Sequence, residues 1–375
     1  MVVLGQPDRE TDELRYGFRQ DPNFYYLTGW NQPGAILLIE NGRDILFLPK
    51  HNPDREKWTG PRAAADDAGV AALTGFETVL PVERFEAELA ATLERRSKIY
   101  TVGEAAVARL SALAPMREVV DAQRTLARLR MIKSAGEVEL LQHAADVTVA
   151  AHEAAWKRAA AGVSEYQVSA AFTSQYLDRG CERAAYPPIV GSGPNSVYLH
   201  YQRNQRRMDR GDLLLIDAGA ECGGYAADVT RTVPIGGKFS KRQREIYEVV
   251  LGAEKAALAA VKPGAVIGTH APDSVYQTAY DYINTHGKDL HGERLGKYFT
   301  HGISHHIGLE VHDASDTTVP LAEGMVISVE PGIYIPEEQI GIRIEDMVLV
   351  TKDGARVLTA ALPREAAEIE KSLAP

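Results

Sequence analysis

"LLLIDAGAECGGYAADVTRTVP", residues Leu213 to Pro234, sets two aspartates among apolar residues on either side of a glycine pair. Leu213 to Ile216 is an unbroken apolar run that ends on Asp217, and Asp228 opens a second strand-like stretch. Gly223 and Gly224 suit a tight turn, so the stretch reads as a β-hairpin. A centre between Cys222 and Gly223 sets Asp217 directly opposite Asp228, where side chains on one face have Cβ atoms roughly 4.5–5.5 Å apart. Two carboxylates that close repel unless a cation or a proton sits with them. A solvated hairpin tip would tolerate the pair, but a strand as apolar as Leu213 to Ile216 belongs in a core.

Two glutamates repeat the pattern. Glu330 ends the apolar run "MVISVE", and Glu345 sits in "IRIED". The stretch "FTHGISHHIGLEVHD", Phe299 to Asp313, carries His301, His305, His306 and His312. One imidazole from it completes a set of two aspartates, two glutamates and a histidine. Oxygen ligands with a single nitrogen suit borderline to hard divalent ions such as manganese. Four carboxylates carry more charge than one such ion needs, so two ions are expected, roughly 3.5–4 Å apart, holding and deprotonating a water between them. That makes a hydrolytic nucleophile without serine or cysteine.

The chain has 375 residues, which favours two domains. Hydrophobic residues at 45% and charged residues at 25% fit a soluble globular protein. A formal net charge of −10 argues against nucleic acid as a partner. The one basic run, Arg203 to Arg210, reads as a solvated loop. Cys181 and Cys222 are too few for a disulfide framework. No signal peptide is visible, and no apolar run approaches the ~20 residues of a membrane helix. The expected class is a cytoplasmic enzyme or binding protein.

Residues 1–120 read as an α/β domain, with a β-hairpin around "NGR" (Asn41 to Arg43), a helix over Val82 to Arg96 and a strand at Lys98 to Gly103. Residues 121–133 read as a linker helix. Three capping boxes, Ser134/Glu137, Ser164/Gln167 and Ser240/Gln243, open helices in residues 134–375. Strand-like segments interleave with them without regular βαβ alternation, so the fold class is α+β.

In order and spacing, "LLLIDAGAECGGYAADVTRTVP", "HGISHHIGLEVHD", "MVISVEPGIYI" and "GIRIEDMVLVT" resemble the pita-bread metallopeptidases, over about residues 128–375. The resemblance implies a C-terminal pita-bread catalytic domain behind a smaller N-terminal creatinase-like domain. It implies metal ligands at Asp217, Asp228, His305, Glu330 and Glu345, with Asp228 and Glu345 bridging two divalent ions. Manganese is the expected metal, with cobalt and zinc also able to fit. His200, His301 and His312 resemble the family's active-site histidines, and Tyr334 and Arg343 resemble supporting residues of its proline-specific branch. Glu330 is expected to accept the proton of the attacking water as well as to bind metal.

The N-terminal stretch Arg15 to Gly42 and the tail Val357 to Leu373 look like the aminopeptidase P branch, although the N-terminal domain looks shorter than is typical. Ser304, before His305, is also more like aminopeptidase P than prolidase, the alternative that takes dipeptides alone. The implied substrate is a peptide with proline in second position, and the implied assembly is a homodimer or homotetramer. A peptide-binding relative without metal, or a creatinase-type hydrolase, would not need all five ligand positions. Among the rest, His306, His143 and His152 read as packing or surface residues. Trp30, Trp58 and Trp156 read as core, and "GSGPNS" (Gly191 to Ser196) does not read as a phosphate loop.

Overall fold

The computed structural model describes residues 1–7, 17–268 and 271–373. His270, which sequence reasoning leaves without a role, lies outside them. The chain divides into two compact units, Met1–Leu129 and Arg130–Pro375.

In the first unit β1 (Val2–Leu4), β2 (Ile36–Glu40), β3 (Arg43–Leu48) and β4 (Thr78–Pro81) form one sheet in that order, with β3 and β4 parallel. Asn41 and Gly42 both take positive φ in the β2–β3 turn, as a two-residue primed turn requires. Both faces are covered: Ile36, Leu38, Ile45 and Phe47 join one apolar cluster, and Leu37, Leu46 and Leu48 join another. Helices α1 (Pro22–Thr28), α2 (Pro53–Thr59), α3 (Val70–Thr74), α4 (Phe85–Leu93) and α5 (Glu104–Leu113) complete the unit with the parallel pair β5 (Lys98–Thr101) and β6 (Glu118–Asp121). Trp58 departs from expectation. It is 85% exposed, because α2 has no buried residue. Trp30 and Trp156 are buried. His51 does find partners, with Glu56 Oε1 and Asp67 Oδ1 each 2.7 Å from its ring nitrogens.

Helix α6 (Gln123–Met131) runs across the boundary. In the second unit α7 (Ala135–Arg158), α8 (Glu165–Asp178) and α9 (Lys241–Ala260) each open on the capping box read from the sequence. Helix α10 (Val275–His286) packs on α9, and α8 on α7. The strands are β7 (Arg183–Ala184), β8 (Ile189–Ser192), β9 (Leu213–Asp217), β10 (Ala220–Cys222), β11 (Tyr225–Ala226), β12 (Thr230–Pro234), β13 (Val326–Val329), β14 (Gly332–Ile335), β15 (Ile340–Arg343), β16 (Asp346–Thr351) and β17 (Gly354–Val357), followed by α11 (Ala366–Ser372). Among the described residues no helix is long and apolar enough to cross a membrane.

Two local expectations need correcting. Arg203, Arg207 and Arg210 are exposed as a solvated loop expects, but Arg206 within it donates to Ser192 Oγ and pairs with Asp209 and Asp212. Cys181 and Cys222 are joined as a disulfide, since β7 pairs with β10 and brings residue 181 beside Cys222.

The hairpin register also differs from expectation. The turn is Gly223-Gly224, both at positive φ, flanked by the pair Cys222 and Tyr225. Asp217 therefore faces Thr230 rather than Asp228. A two-residue primed turn needs positive φ at both central positions, and the centre first assumed would have forced that on Cys222. Asp228 stands two residues before Thr230 and is a diagonal neighbour of Asp217.

This register continues across the sheet. Thr230 bridges Glu345, whose N–H donates to Thr230 O at 3.0 Å. The pairings Val329 with Asp346 and Gly332 with Arg343 put Glu330 opposite Glu345. Beyond them, Ser328 N–H donates to His305 O and Glu330 N–H to Ile303 O, both at 2.9 Å. Asp217, Thr230, Glu345 and Glu330 thus form a row across the strands, and directly paired residues share a face. Asp228, Arg343 and Ser328 stand two residues away along their strands and share it too.

Gly219 makes this close crossing feasible, because a Cβ there would sit on the carbonyl oxygen of Ala227. Gly219→Ala is expected to cost about 3 kcal/mol of stability, the upper end of ordinary overpacking. Gly136→Ala, in open space within α7, is expected to stabilise by up to about 1 kcal/mol. Urea unfolding of both variants checks the contrast.

Candidate metal centre

The row of paired residues brings the five expected ligands to one pocket. Asp217, Asp228, His305, Glu330 and Glu345 all line it, with His200, His301, His312 and Arg343. Oxygen atoms of Asp228 and Glu345 and a ring nitrogen of His305 lie within 4.8 Å of one another. His305 Nε2 is 3.2 Å from Asp228 Oδ2 and 3.5 Å from Glu330 Oε1.

Neighbouring groups hold each acid. Arg343 Nη2 donates to Asp217 Oδ2 at 2.5 Å, and its Nε donates to Thr230 Oγ1 at 3.1 Å. Thr230 Oγ1 in turn donates to Glu345 Oε2 at 2.7 Å. Ser328 Oγ donates to Glu330 Oε1 at 3.2 Å and accepts from His305 N–H at 3.0 Å. Behind the face, fully buried Arg231 donates to Glu345 O and Asp346 Oδ1, each at 2.7 Å.

The electrostatics show what the face lacks. Burial, then the neighbouring acids Asp228, Glu330 and Asp217, push the carboxyl of Glu345 well above the usual range. Burial also raises Asp217, against the opposing pull of Arg343. Burial is the largest influence on Glu330 as well, and it stands at about 7. Burial disfavours a charged His305, but its hydrogen bond to Asp228 and the field of Glu330 outweigh that and lift it to about 9. Burial and mutual repulsion together make several negative charges on this face unfavourable unless a proton or cation shares them. Oxygen donors with one imidazole and no thiolate fit divalent cations.

Sequence reasoning missed Tyr186. Its hydroxyl lies 2.6 Å from Asp217 Oδ1 and 2.5 Å from Asp228 Oδ1. Burial and these two carboxylates keep it protonated, so it acts as a donor to the pair. Its sequence context, "AAYPPIV", carries no recognisable signal. Thr230 was legible had the glycine pair been taken as the turn.

His301 joins the other side of the pocket. Burial, helped by Arg343, lowers it to about 4, so its ring is neutral. Its Nδ1 lies 2.7 Å from Gly302 O and takes the proton, leaving Nε2 to accept from the Tyr334 hydroxyl at 2.9 Å. Tyr334 in turn accepts from Arg343 Nη1 at 2.7 Å. His312 stacks edge-on against His305 with ring centroids 4.1 Å apart, and burial followed by His305 lowers its pKa. The next residue, Asp313, accepts from Arg130 at 2.5 Å and Lys133 at 3.2 Å, both buried, which pins the histidine loop. His200 is exposed at the rim of the pocket. His306 is buried beside the site and does not line the pocket.

Were Glu330 and His305 metal ligands, as the sequence implies, protons would compete with metal for them, since they stand at about 7 and about 9. Manganese affinity is therefore expected to rise with pH through this window, with protons released on binding. Calorimetry in buffers of different ionisation enthalpy reads both; an affinity flat with pH would contradict the assignment.

Residues 139–352 match the model of metallopeptidase family M24, and residues 2–100 match the aminopeptidase P N-terminal domain. The chain is 37% identical to the Xaa-Pro aminopeptidase of Haemophilus influenzae, over 96% of this chain and 90% of that one. Pseudomonas aeruginosa aminopeptidase PepP superposes with a TM-score of 0.90 at 32% identity, covering 99% of this chain and 93% of that chain. Escherichia coli aminopeptidase P with the inhibitor Pro-Leu superposes with a TM-score of 0.87 at 30% identity, with the same coverage. A row of acids that calls for divalent cations, on a fold shared along nearly the whole chain, places this protein in metallopeptidase family M24, with the N-terminal domain of the aminopeptidase P type.

Proposed function

We propose that the protein is a metallo-aminopeptidase that hydrolyses the bond between an N-terminal residue and a proline in second position. The observation that carries this reading is the convergence of four carboxylates and His305 in a pocket that also presents apolar side chains. Ile189 and Leu199 line that pocket, and they pack with Tyr334, Val197 and Tyr201. Apolar contacts from Ile189 and Leu199 beside a polar reaction centre suit a proline ring, and relatives named Xaa-Pro aminopeptidase support the same reading.

Asp217, Asp228, His305, Glu330 and Glu345 would hold two divalent ions, with Mn2+ the best match to the donors. When bound, such ions acidify a water and polarise a carbonyl. Glu330 would take the water's proton and pass it to the leaving proline nitrogen. His312 would donate to the developing oxyanion, and His200 would contact the proline side of the scissile bond. Asp217 would help to hold the substrate's free amine. Arg343, through Tyr334, fixes the neutral His301 and so shapes the same pocket.

The family resemblance also supports a homodimer or homotetramer working in the cytoplasm. Trp58 at 85% and Met116 at 89% exposure are apolar surface that such an assembly could cover.

With manganese-loaded protein, Ala-Pro-Ala is expected to be cleaved. Hydrolysis of Ala-Pro alone would instead support a dipeptidase. Glu330→Ala is expected to abolish turnover with metal replete, and near-normal turnover would refute its role. His312→Ala should lower kcat by about 10²–10⁴-fold; a change confined to KM would remove it from the chemistry.

A further inference from the structure

Three side chains outside the metal centre meet at the tip of the β10–β11 hairpin. His143 comes from α7, Cys181 follows α8, and Cys222 ends β10. A ring nitrogen of His143 and both sulfurs lie within 4.8 Å of one another. The cysteines are buried, and the imidazole faces solvent.

The fold sets this meeting firmly. One face of α7 lies over the hairpin at three-residue spacing, so that Glu137, Leu140 and His143 line up along it. The Tyr225 hydroxyl donates to Glu137 Oε1 at 3.1 Å. Leu140 reaches within 3.2 Å of where a Cβ on Gly223 would stand. His143 comes next on that face. Cys181 N–H donates to Tyr176 O, and Glu182 N–H donates to Glu221 O, both at 3.0 Å. The Glu182 carboxylate accepts from Gly223 N–H at 3.0 Å, which ties the chain after Cys181 to the chain after Cys222. The Glu182 carboxylate also adds negative charge beside the hairpin tip.

We propose that Cys181, Cys222 and His143 form a second metal site, for a thiophilic ion such as Zn2+, that opens when the disulfide is reduced. Two thiolates and an imidazole are softer donors than the oxygen-rich main centre and select zinc or monovalent copper over manganese. The exposed side at His143 leaves a fourth position for water. A disulfide by itself has no use for an imidazole beside both sulfurs; a metal ion does.

The chemistry balances with a dithiol reductant. The dithiol gives two electrons and two protons to the Cys181–Cys222 bond and becomes a disulfide itself. The two freed thiols then lose their protons as Zn2+ binds, while His143 contributes a ring lone pair. The oxidised form has no thiolate to offer, so disulfide and metal exclude each other. Either one closes the same link between the segment leading to β7 and the hairpin that carries Asp217 and Asp228.

The test uses Co2+ as a spectroscopic probe on the full chain. The main centre has no sulfur, so thiolate-to-cobalt charge-transfer absorption reports this site alone. Protein reduced with dithiothreitol, desalted without air and titrated with Co2+ should develop that band, and Zn2+ should bleach it. The band should be lost in oxidised protein and in Cys181→Ser. His143→Ala should weaken binding by more than the about 10–100-fold that loss of an outer partner costs. Manganese-dependent peptidase activity retained in Cys181→Ser shows that the variant is folded. A disulfide that dithiothreitol cannot reduce in the folded protein, or two titratable thiols with no band, would overturn the proposal.

Discussion

Four carboxylates stand together on one buried sheet face, and water does not reach them freely enough to dissipate their charge. Asp217, Asp228 and Glu345 are each at most 8% exposed. Burial and mutual repulsion raise Asp217, Glu330 and Glu345 above the ordinary carboxylate range. Such a face is tolerable only with protons or cations in it. The second unit is organised around that requirement: paired strands deliver the acids in register, and positive groups share them from the edges.

The supporting groups divide the load. Arg343 reaches Asp217, Thr230 and Tyr334 at once, so it links both sides of the pocket through one planar fork. Arg231 and Asp346, both 0% exposed, brace the strand that carries Glu345 from behind. Asp313 anchors the histidine loop on two buried cations. Removing one partner from a buried pair costs more than the pair contributes, since it strands a charge. These contacts therefore act mainly as constraints on geometry.

Much of this was legible in the sequence because the signals were local. Ser134/Glu137, Ser164/Gln167 and Ser240/Gln243 each announced a helix start within three residues. Acids at the ends of apolar strands pointed to a buried charged site, and His305 and His312 were separable by spacing once those acids were in view. Register was less legible. Choosing Cys222-Gly223 over Gly223-Gly224 as the turn moved the partner of Asp217 by two positions and hid Thr230. Tyr186 and Arg130 could not have been found, because their roles arise where distant segments meet. The exposure of Trp58 and the joining of Cys181 to Cys222 were missed for the same reason: composition says nothing about which face of a short helix is covered, or which strands are neighbours.

The central claim is that the five side chains hold two ions. The most direct measurement is an anomalous difference map from crystals of the manganese-loaded protein, recorded at the manganese absorption edge. The account predicts two peaks enclosed by Asp217, Asp228, His305, Glu330 and Glu345. A single peak, or density lying away from those residues, would contradict it.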